Sequence, residues 1–249
     1  MTPTALLLDS FDAPPELNTA VSAATLKAVA SGELPDLFRI HVPARVVAFG
    51  RQDTHTTGFN RAVAACRSEG FTPVIRLAGG RAAVFHEGTL AFSWQTRTDQ
   101  PKLGVSERFE FMTSILVAAL ASLGYDSNVG EVPGEYCPGR YSVHIGQKKI
   151  AGVGQRLVSG AAHVGGVLAV TDGAAINRVL TPVYEAMEFA WDPNVTGAVG
   201  DFGTVTPSMV SDAVAAQLGE RVNLTETSLP AYLVREAAGL VPDHRPQAG

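Results

Sequence analysis

Cysteine is scarce in this chain, with only Cys66 and Cys137 among 249 residues. Such sparse usage excludes a disulfide scaffold and fits reduced thiols, and neither residue belongs to a CxxC pair, so no metal site is expected. No apolar run reaches the roughly 18 residues that a spanning helix needs, so no membrane association is expected. The opening Met1-Thr2-Pro3-Thr4 lacks a basic leader region and a cleavage site, which makes the cytoplasm the expected compartment. Charged residues are only 17% of the chain and the net charge is −5, which argues against a nucleic-acid partner, because phosphate contacts require a basic face. No strand is followed by GxGxxG and a helix, so a Rossmann fold is not expected. Repeats, low-complexity tracts and linkers are also missing. The simplest organisation is one domain over residues 1–241 with a loose tail at 242–249.

Hydrophobic residues, by contrast, make up 46% of the chain, enough for a sizeable core. Leu6-Leu7-Leu8 reads as the end of a short strand, and Pro14-Pro15 precedes a helix from Glu16 to Ala30 that Gly32 closes. Phe38–Val42 and Arg45–Gly50 read as hairpin-like neighbours separated by Pro43-Ala44. Phe59–Ser68 is helical, with Ala62, Val63 and Cys66 on one face, which makes Cys66 a packing residue. Thr72–Leu77, Ala82–Phe85 and Thr89–Thr96 are strands meeting around two turns, Ala78-Gly79-Gly80-Arg81 and His86-Glu87-Gly88. The paired glycines, flanked by Arg76 and Arg81, would let backbone amides approach a carboxylate, phosphate or carbonyl. Ser106–Leu123 carries an apolar stripe of helical period and stops at Gly124. Further strands are expected at Gln155–Val158 and Val164–Val170. Helices are expected at Ala174–Leu180, Val183–Ala190, Thr206–Leu218 and Leu229–Ala238.

The stretch from Glu135 to His163 carries the chemistry. Cys137 precedes Pro138-Gly139, a pair suited to a type II turn that would hold the thiol at an exposed corner. Tyr141–Ile145 alternates like a strand, Gly146-Gln147 suits a tight reversal, and Lys149-Ile150-Ala151 runs back, returning Lys149 towards Cys137. A cation beside a thiol favours the nucleophilic thiolate. Four cations (Arg140, Lys148, Lys149, Arg156) stand against Glu135 here, a local excess that could draw an acidic partner or a substrate anion.

With Arg76-Leu77-Ala78-Gly79-Gly80-Arg81-Ala82-Ala83-Val84-Phe85-His86-Glu87-Gly88 upstream and Gln147-Lys148-Lys149-Ile150-Ala151-Gly152 downstream, the chain resembles the lipoate-protein ligase and octanoyltransferase superfamily from about Gly50 to Val170. The resemblance implies an α/β (α+β) fold, a mixed, largely antiparallel sheet flanked by helices, like the catalytic domains of biotin and lipoate ligases. It also implies an acyl pocket lined by Arg76, Gly79, Gly80, Arg81, His86, Gly152 and His163, and it places the family's motif lysine on Lys149. The chain departs from the ligases' pattern in having Arg81 for a third loop glycine, His86-Glu87 for a His-Asp pair, and an altered segment around His163.

Tyr136-Cys137-Pro138-Gly139, with Lys149 beyond it, looks most like the amidotransferase branch, which moves octanoyl groups from the glycine-cleavage H protein onto lipoyl domains. The resemblance therefore implies an acyltransferase with Cys137 and Lys149 as catalytic pair. Its donor would be an acyl carrier protein or the H protein, its acceptor a lipoyl domain, its cargo an octanoyl or lipoyl group, and no cofactor would be required. Two alternatives are an ATP-dependent lipoate-protein ligase, needing Lys149, Mg and ATP but not Cys137, and a non-catalytic acyl-binding relative needing neither residue.

Overall fold

A computed structural model describes residues 3–247. In chain order it contains β1 (Pro3–Leu7), α1 (Leu17–Ser31), β2 (Asp36–His41), β3 (Val46–Phe49), α2 (Phe59–Ser68), β4 (Thr72–Ile75), β5 (Ala83–Phe85), β6 (Thr89–Arg97) and α3 (Val105–Ser122). There follow β7 (Asn128–Val129), β8 (Val143–Ile145), β9 (Lys148–Val158), β10 (Ala161–Ala169), α4 (Gly173–Ala186), α5 (Pro207–Gly219), β11 (Asn223–Thr227) and α6 (Ala231–Leu240). The strands form an eight-stranded sheet, ordered β11-β1-β2-β6-β10-β9-β8-β7, and a three-stranded sheet, β4-β3-β5. In the large sheet only β1 makes parallel pairs, with β11 and β2, so the expected mixed, largely antiparallel α/β architecture is present.

Hydrophobic clusters hold these layers, the larger ones on either side of the sheets. Met112, Ile115, Leu116 and Leu120 of α3 pack with Val210, Val214 and Leu218 of α5 against Leu90, Val164 and Leu168 of the large sheet. Ile176, Val179, Leu180 and Val183 of α4 pack with Phe59, Val63 and Cys66 of α2 over Val47 and Phe49 of the small sheet. Leu17, Ala20, Val21 and Ala24 of α1 meet Ala237 of α6 and Val241. Helix boundaries follow the local chemistry: Gly32 closes α1 in the left-handed region at φ 81°, and the Thr206 side chain accepts a hydrogen bond from Met209 N to start α5.

Several connections differ from the sequence expectation. The strands β2 and β3 are not hairpin neighbours: β2 pairs with β1 and β6, whereas β3 belongs to the small sheet. Pro43 cannot donate to a ladder, and the break it makes carries the chain from one sheet to the other. Likewise β4 and β5 flank β3 on opposite sides while β6 joins the large sheet, so the Gly79-Gly80 turn carries the chain across β3 within the small sheet and only the His86-Glu87-Gly88 turn links the two sheets. Gly173–Ala186 is a single helix running through Pro182. The strand β9 is continuous through Gly152 and Gly154 because β10 pairs it along nearly its whole length. Residues 242–247, expected as a loose tail, begin with a 3-10 turn that buries His244 against the Ile75 carbonyl and brings Arg245 onto Glu16; the last two residues lie outside the described chain.

Cys66 is fully buried on α2, its Sγ donating to the Phe71 carbonyl, and burial pushes its thiol pKa up to about 12. Cys137 is only half-buried. Iodoacetamide at neutral pH is therefore expected to modify Cys137 and spare Cys66 in the folded protein, which peptide mapping after native and denaturing labelling checks. Equal native labelling of both would contradict this packing.

Candidate active site

The loop between β7 and β8 is organised from below by one carboxylate. Glu135 is buried, and its Oε1 accepts hydrogen bonds from Gly139 N (2.8 Å) and Ser142 Oγ (2.6 Å) and faces Lys149 Nζ at 3.2 Å. Its Oε2 accepts from Val132 N at 3.3 Å. The tight reversal at Gly146 (φ 56°) sends β9 back antiparallel to β8 and delivers Lys149 beneath this loop, as the hairpin pattern predicts. Lys149 is 1% exposed, and its ammonium donates to the carbonyls of Tyr136 (2.8 Å) and Cys137 (2.9 Å). Burial lowers the Lys149 pKa below its usual value, while Glu135 and then Cys137 pull it back up. The hairpin thus returns Lys149 to Cys137, but its ammonium meets the residue's carbonyl instead of standing beside the thiol as expected.

The sulfur itself faces the loop between β4 and β5. Arg81 N donates to Cys137 Sγ at 3.1 Å, and Arg76 Nη2 lies 3.6 Å from it while donating to the carbonyls of Gly79 (2.8 Å) and Arg81 (2.7 Å). Only a glycine fits at position 80: its φ is +96°, and a Cβ there would stand 2.8 Å from Sγ. Asp53, fully buried, accepts from Gly50 N at 2.9 Å and from Arg81 Nη1 at 3.2 Å, fastening this loop to the end of β3.

The expected type II turn at Cys137-Pro138-Gly139 is not what holds the thiol. That turn needs φ > 0 at its third residue, but Gly139 is not left-handed; Cys137 itself is, at φ 44°. A non-glycine residue in this region costs about 1–2 kcal/mol, which its surroundings must supply. Besides Lys149 at its carbonyl, Cys137 donates its N–H to Tyr184 Oη at 3.0 Å.

A cavity of about 420 Å³ opens between the two sheets and α1, within the usual size range of small-molecule sites. Cys137, Lys149, Arg76, Gly79, Gly80, Gly152 and His163 all line it, together with apolar side chains such as Val46, Ala83, Phe85 and Val167. Gly152 lies against the Lys149 side chain, where a Cβ would be 3.5 Å from Cε. His163 is buried, with Nδ1 3.4 Å from Gln95 Nε2, and burial lowers its pKa to about 4, so it is neutral. Two of the expected lining residues sit elsewhere. The Arg81 guanidinium turns to Asp53 and the Phe189 ring and leaves only its backbone at the thiol, and His86 is buried in its own turn, with Nδ1 accepting from Gly88 N.

Three residues of the site had no assigned role in the sequence. Glu135 is the single anion in its cationic stretch, a signal that could have marked it as Lys149's partner. Asp53 sits in a polar loop like many others, and Tyr184 is 47 residues from Cys137, on α4, so nothing local singles out either.

The two sheets, the thiol loop and the cavity at their junction define a catalytic domain of the lipoate-ligase type. The fold matches that of a lipoate-protein ligase A bound with ATP, with a TM-score of 0.78 over 97% of this chain and 95% of that chain at 21% identity. It also matches the bi-partite lipoate protein ligase of Thermoplasma acidophilum, described with its E2 lipoyl domain, with a TM-score of 0.76 over 97% and 93% of the two chains at 20% identity. The chain belongs to the lipoyl protein ligase A/B catalytic domain family, whose model matches residues 14–214. An octanoyl-[GcvH]:protein N-octanoyltransferase of Geobacillus kaustophilus (strain HTA426) is 34% identical over 176 residues, 70% of this chain and 62% of that protein. The matches to the first of the curated relatives span less than two thirds of their length.

Two measurements probe this arrangement. Because His163 is held neutral, its folded pKa of about 4 lies below the ordinary 6.5, so the stability it contributes is complete above pH 6.5 and declines as pH falls towards 4. Over that interval the loss attributable to this one proton is about 3 kcal/mol, and urea titrations should show a correspondingly flatter pH dependence in His163→Gln. For the buried pair, Lys149→Met should cost about 3–5 kcal/mol by stranding Glu135, and adding Glu135→Gln should restore part of it. Additive losses in that double-mutant cycle would refute the coupling.

Proposed function

We propose that this protein transfers an octanoyl or lipoyl group from a carrier protein to a lysine of a lipoyl domain through a thioester on Cys137. The observation that carries the reading is the sulfur's position: half-exposed at a largely apolar cavity, with an amide and a guanidinium facing it and a buried ammonium under its own carbonyl. The name of the Geobacillus relative supports the same reading.

In the first half-reaction the thiolate attacks the acyl carbonyl of the donor. The bond from carbonyl carbon to the donor's sulfur (in a carrier thioester) or nitrogen (in an acylated H-protein lysine) breaks, and the leaving atom takes up a proton. In the second, the neutral amine of the acceptor lysine attacks the enzyme thioester, the C–S bond breaks, an amide forms, a proton is released and the thiolate returns. Negative charge on the tetrahedral intermediates develops beside the Arg81 amide and above Lys149, whose ammonium holds the loop at positive potential. No nucleotide or metal enters these steps. Arg140, three residues beyond Cys137, and Arg156, within β9, are exposed and favour an acidic protein partner. Two free thiols suit a reducing cytoplasm, and no helix among the described residues is long and apolar enough to cross a membrane.

Incubation with an octanoylated acyl carrier protein or H protein should add one octanoyl mass to the protein, labile to hydroxylamine and lost in Cys137→Ala. An adduct on Cys66 would overturn the site. If Cys137→Ser still octanoylates a lipoyl domain from free octanoate, and does so only with Mg and ATP, the ligase alternative replaces this reading.

A further inference from the structure

The backbone of Cys137 is held by a residue of α4. Tyr184 lies on α4, buried among Phe189 (5.6 Å between ring centroids) and Trp191 (5.5 Å), and its hydroxyl makes two hydrogen bonds. It accepts from Cys137 N at 3.0 Å and donates to the Ala82 carbonyl at 3.0 Å. Ala82 immediately follows Arg81, whose amide touches the Cys137 sulfur at 3.1 Å. One oxygen therefore ties the two sides of the sulfur together: the peptide that carries the thiol and the strand entry that carries its amide donor.

We infer that Tyr184 is a positioning residue for the acyl-carrying thiol, locking Cys137 in its left-handed conformation so that Sγ stays between the Gly80-Arg81 amide and the cavity. The inference rests on the reading of Cys137 as nucleophile. The Cys137 peptide is pinned at three atoms: N by Tyr184, O by Lys149 and Sγ by Arg81 N. Its φ of 44° is uncommon for a side chain larger than glycine and persists only where neighbours over-determine it. Burial raises the Tyr184 pKa well above the usual phenol value, so the hydroxyl keeps the proton that it donates to Ala82. Without that oxygen, Cys137 N–H and Ala82 C=O lose their shared partner, and the peptide is free to relax out of the left-handed region. That relaxation would swing the sulfur away from its amide, and reactions that depend on close approach lose roughly 100-fold for a displacement of about 1 Å.

Tyr184→Phe keeps the ring packing and removes only the oxygen. Single-turnover acylation of Cys137 from an octanoylated acyl carrier protein should slow by about 10- to 100-fold at saturating donor, with the half-saturating donor concentration changed by less than about 2-fold. Alkylation of Cys137 by iodoacetamide at pH 7 should slow by at least about 5-fold while Cys66 stays unlabelled, showing that the fold is intact. Unchanged acylation and alkylation would overturn the inference, as would a loss accompanied by labelling of Cys66, which would make Tyr184 a packing residue only. Should the wild-type protein accept no acyl group, the functional reading fails on its own. The alkylation rates then decide the positioning role, slower in Tyr184→Phe if it holds and equal if it does not.

Discussion

The ion pair between Glu135 and Lys149, with both side chains at most 1% exposed, is the constraint on which the site depends. A buried pair is weak evidence for stability, because taking two charges out of water costs about as much as their attraction returns, and apolar replacements of the same shape often serve as well. Its effect here is geometric. Each partner spends its remaining hydrogen-bonding capacity on the loop from Val132 to Ser142: the carboxylate on two backbone amides and a hydroxyl, the ammonium on two consecutive carbonyls. A loop without regular secondary structure acquires a fixed shape from a single charge pair beneath it. The ammonium's positive potential is left under the residue whose sulfur would carry negative charge in an acyl transfer.

The opposing half of the site is built from backbone. Gly50 and Gly80 approach so closely that a Cβ on Gly50 would lie 1.8 Å from the Gly80 carbonyl oxygen. That proximity brings the end of β3 and the glycine loop together, and Asp53 and Arg81 clamp the contact. The Arg81 guanidinium is spent on this clamp and on the Phe189 ring, which explains why only its N–H reaches the thiol. The resemblance to the family placed Arg81 in the pocket by sequence position. A side chain's position along the chain does not fix its direction, and a fully buried carboxylate nearby decided it.

How much of this was legible in the sequence follows from the range of each interaction. The hairpin that returns Lys149 to Cys137 is local: Gly146 supplies the turn and period-two alternation supplies the strands, so it could be read directly. Cys66 as a packing residue was equally local, through its place on the apolar face of α2. Strand partnership was not local. The break at Pro43 looks the same whether the chain doubles back or changes sheets, and β11, with one half-buried and four exposed residues, offers no alternation to mark it as the partner of β1. The thiol's conformation also escaped, because Pro138-Gly139 suggested a turn of known type while the contacts that place φ > 0 on Cys137 come from Arg81 and Tyr184, 56 and 47 residues away.

The same distinction explains why the thiol sits where the two sheets meet. A thiol on a regular strand or helix would have its N–H and C=O consumed by that element's ladder, and its direction set by the ladder's geometry. Cys137 lies outside any such element, so its N–H, C=O and sulfur are each free to be held from a different part of the fold: α4, β9 and the loop between β4 and β5. Agreement among three separate parts of the fold is needed to hold it, and each is anchored in the core: α4 and, through Ala82, the loop in the cluster over the small sheet, and β9 through Ile150 and Ala151 in the cluster on the large one. The strain of a left-handed cysteine is thereby met by packing far from the cavity, and the cavity wall beside the sulfur can be left to glycines such as Gly79 and Gly80.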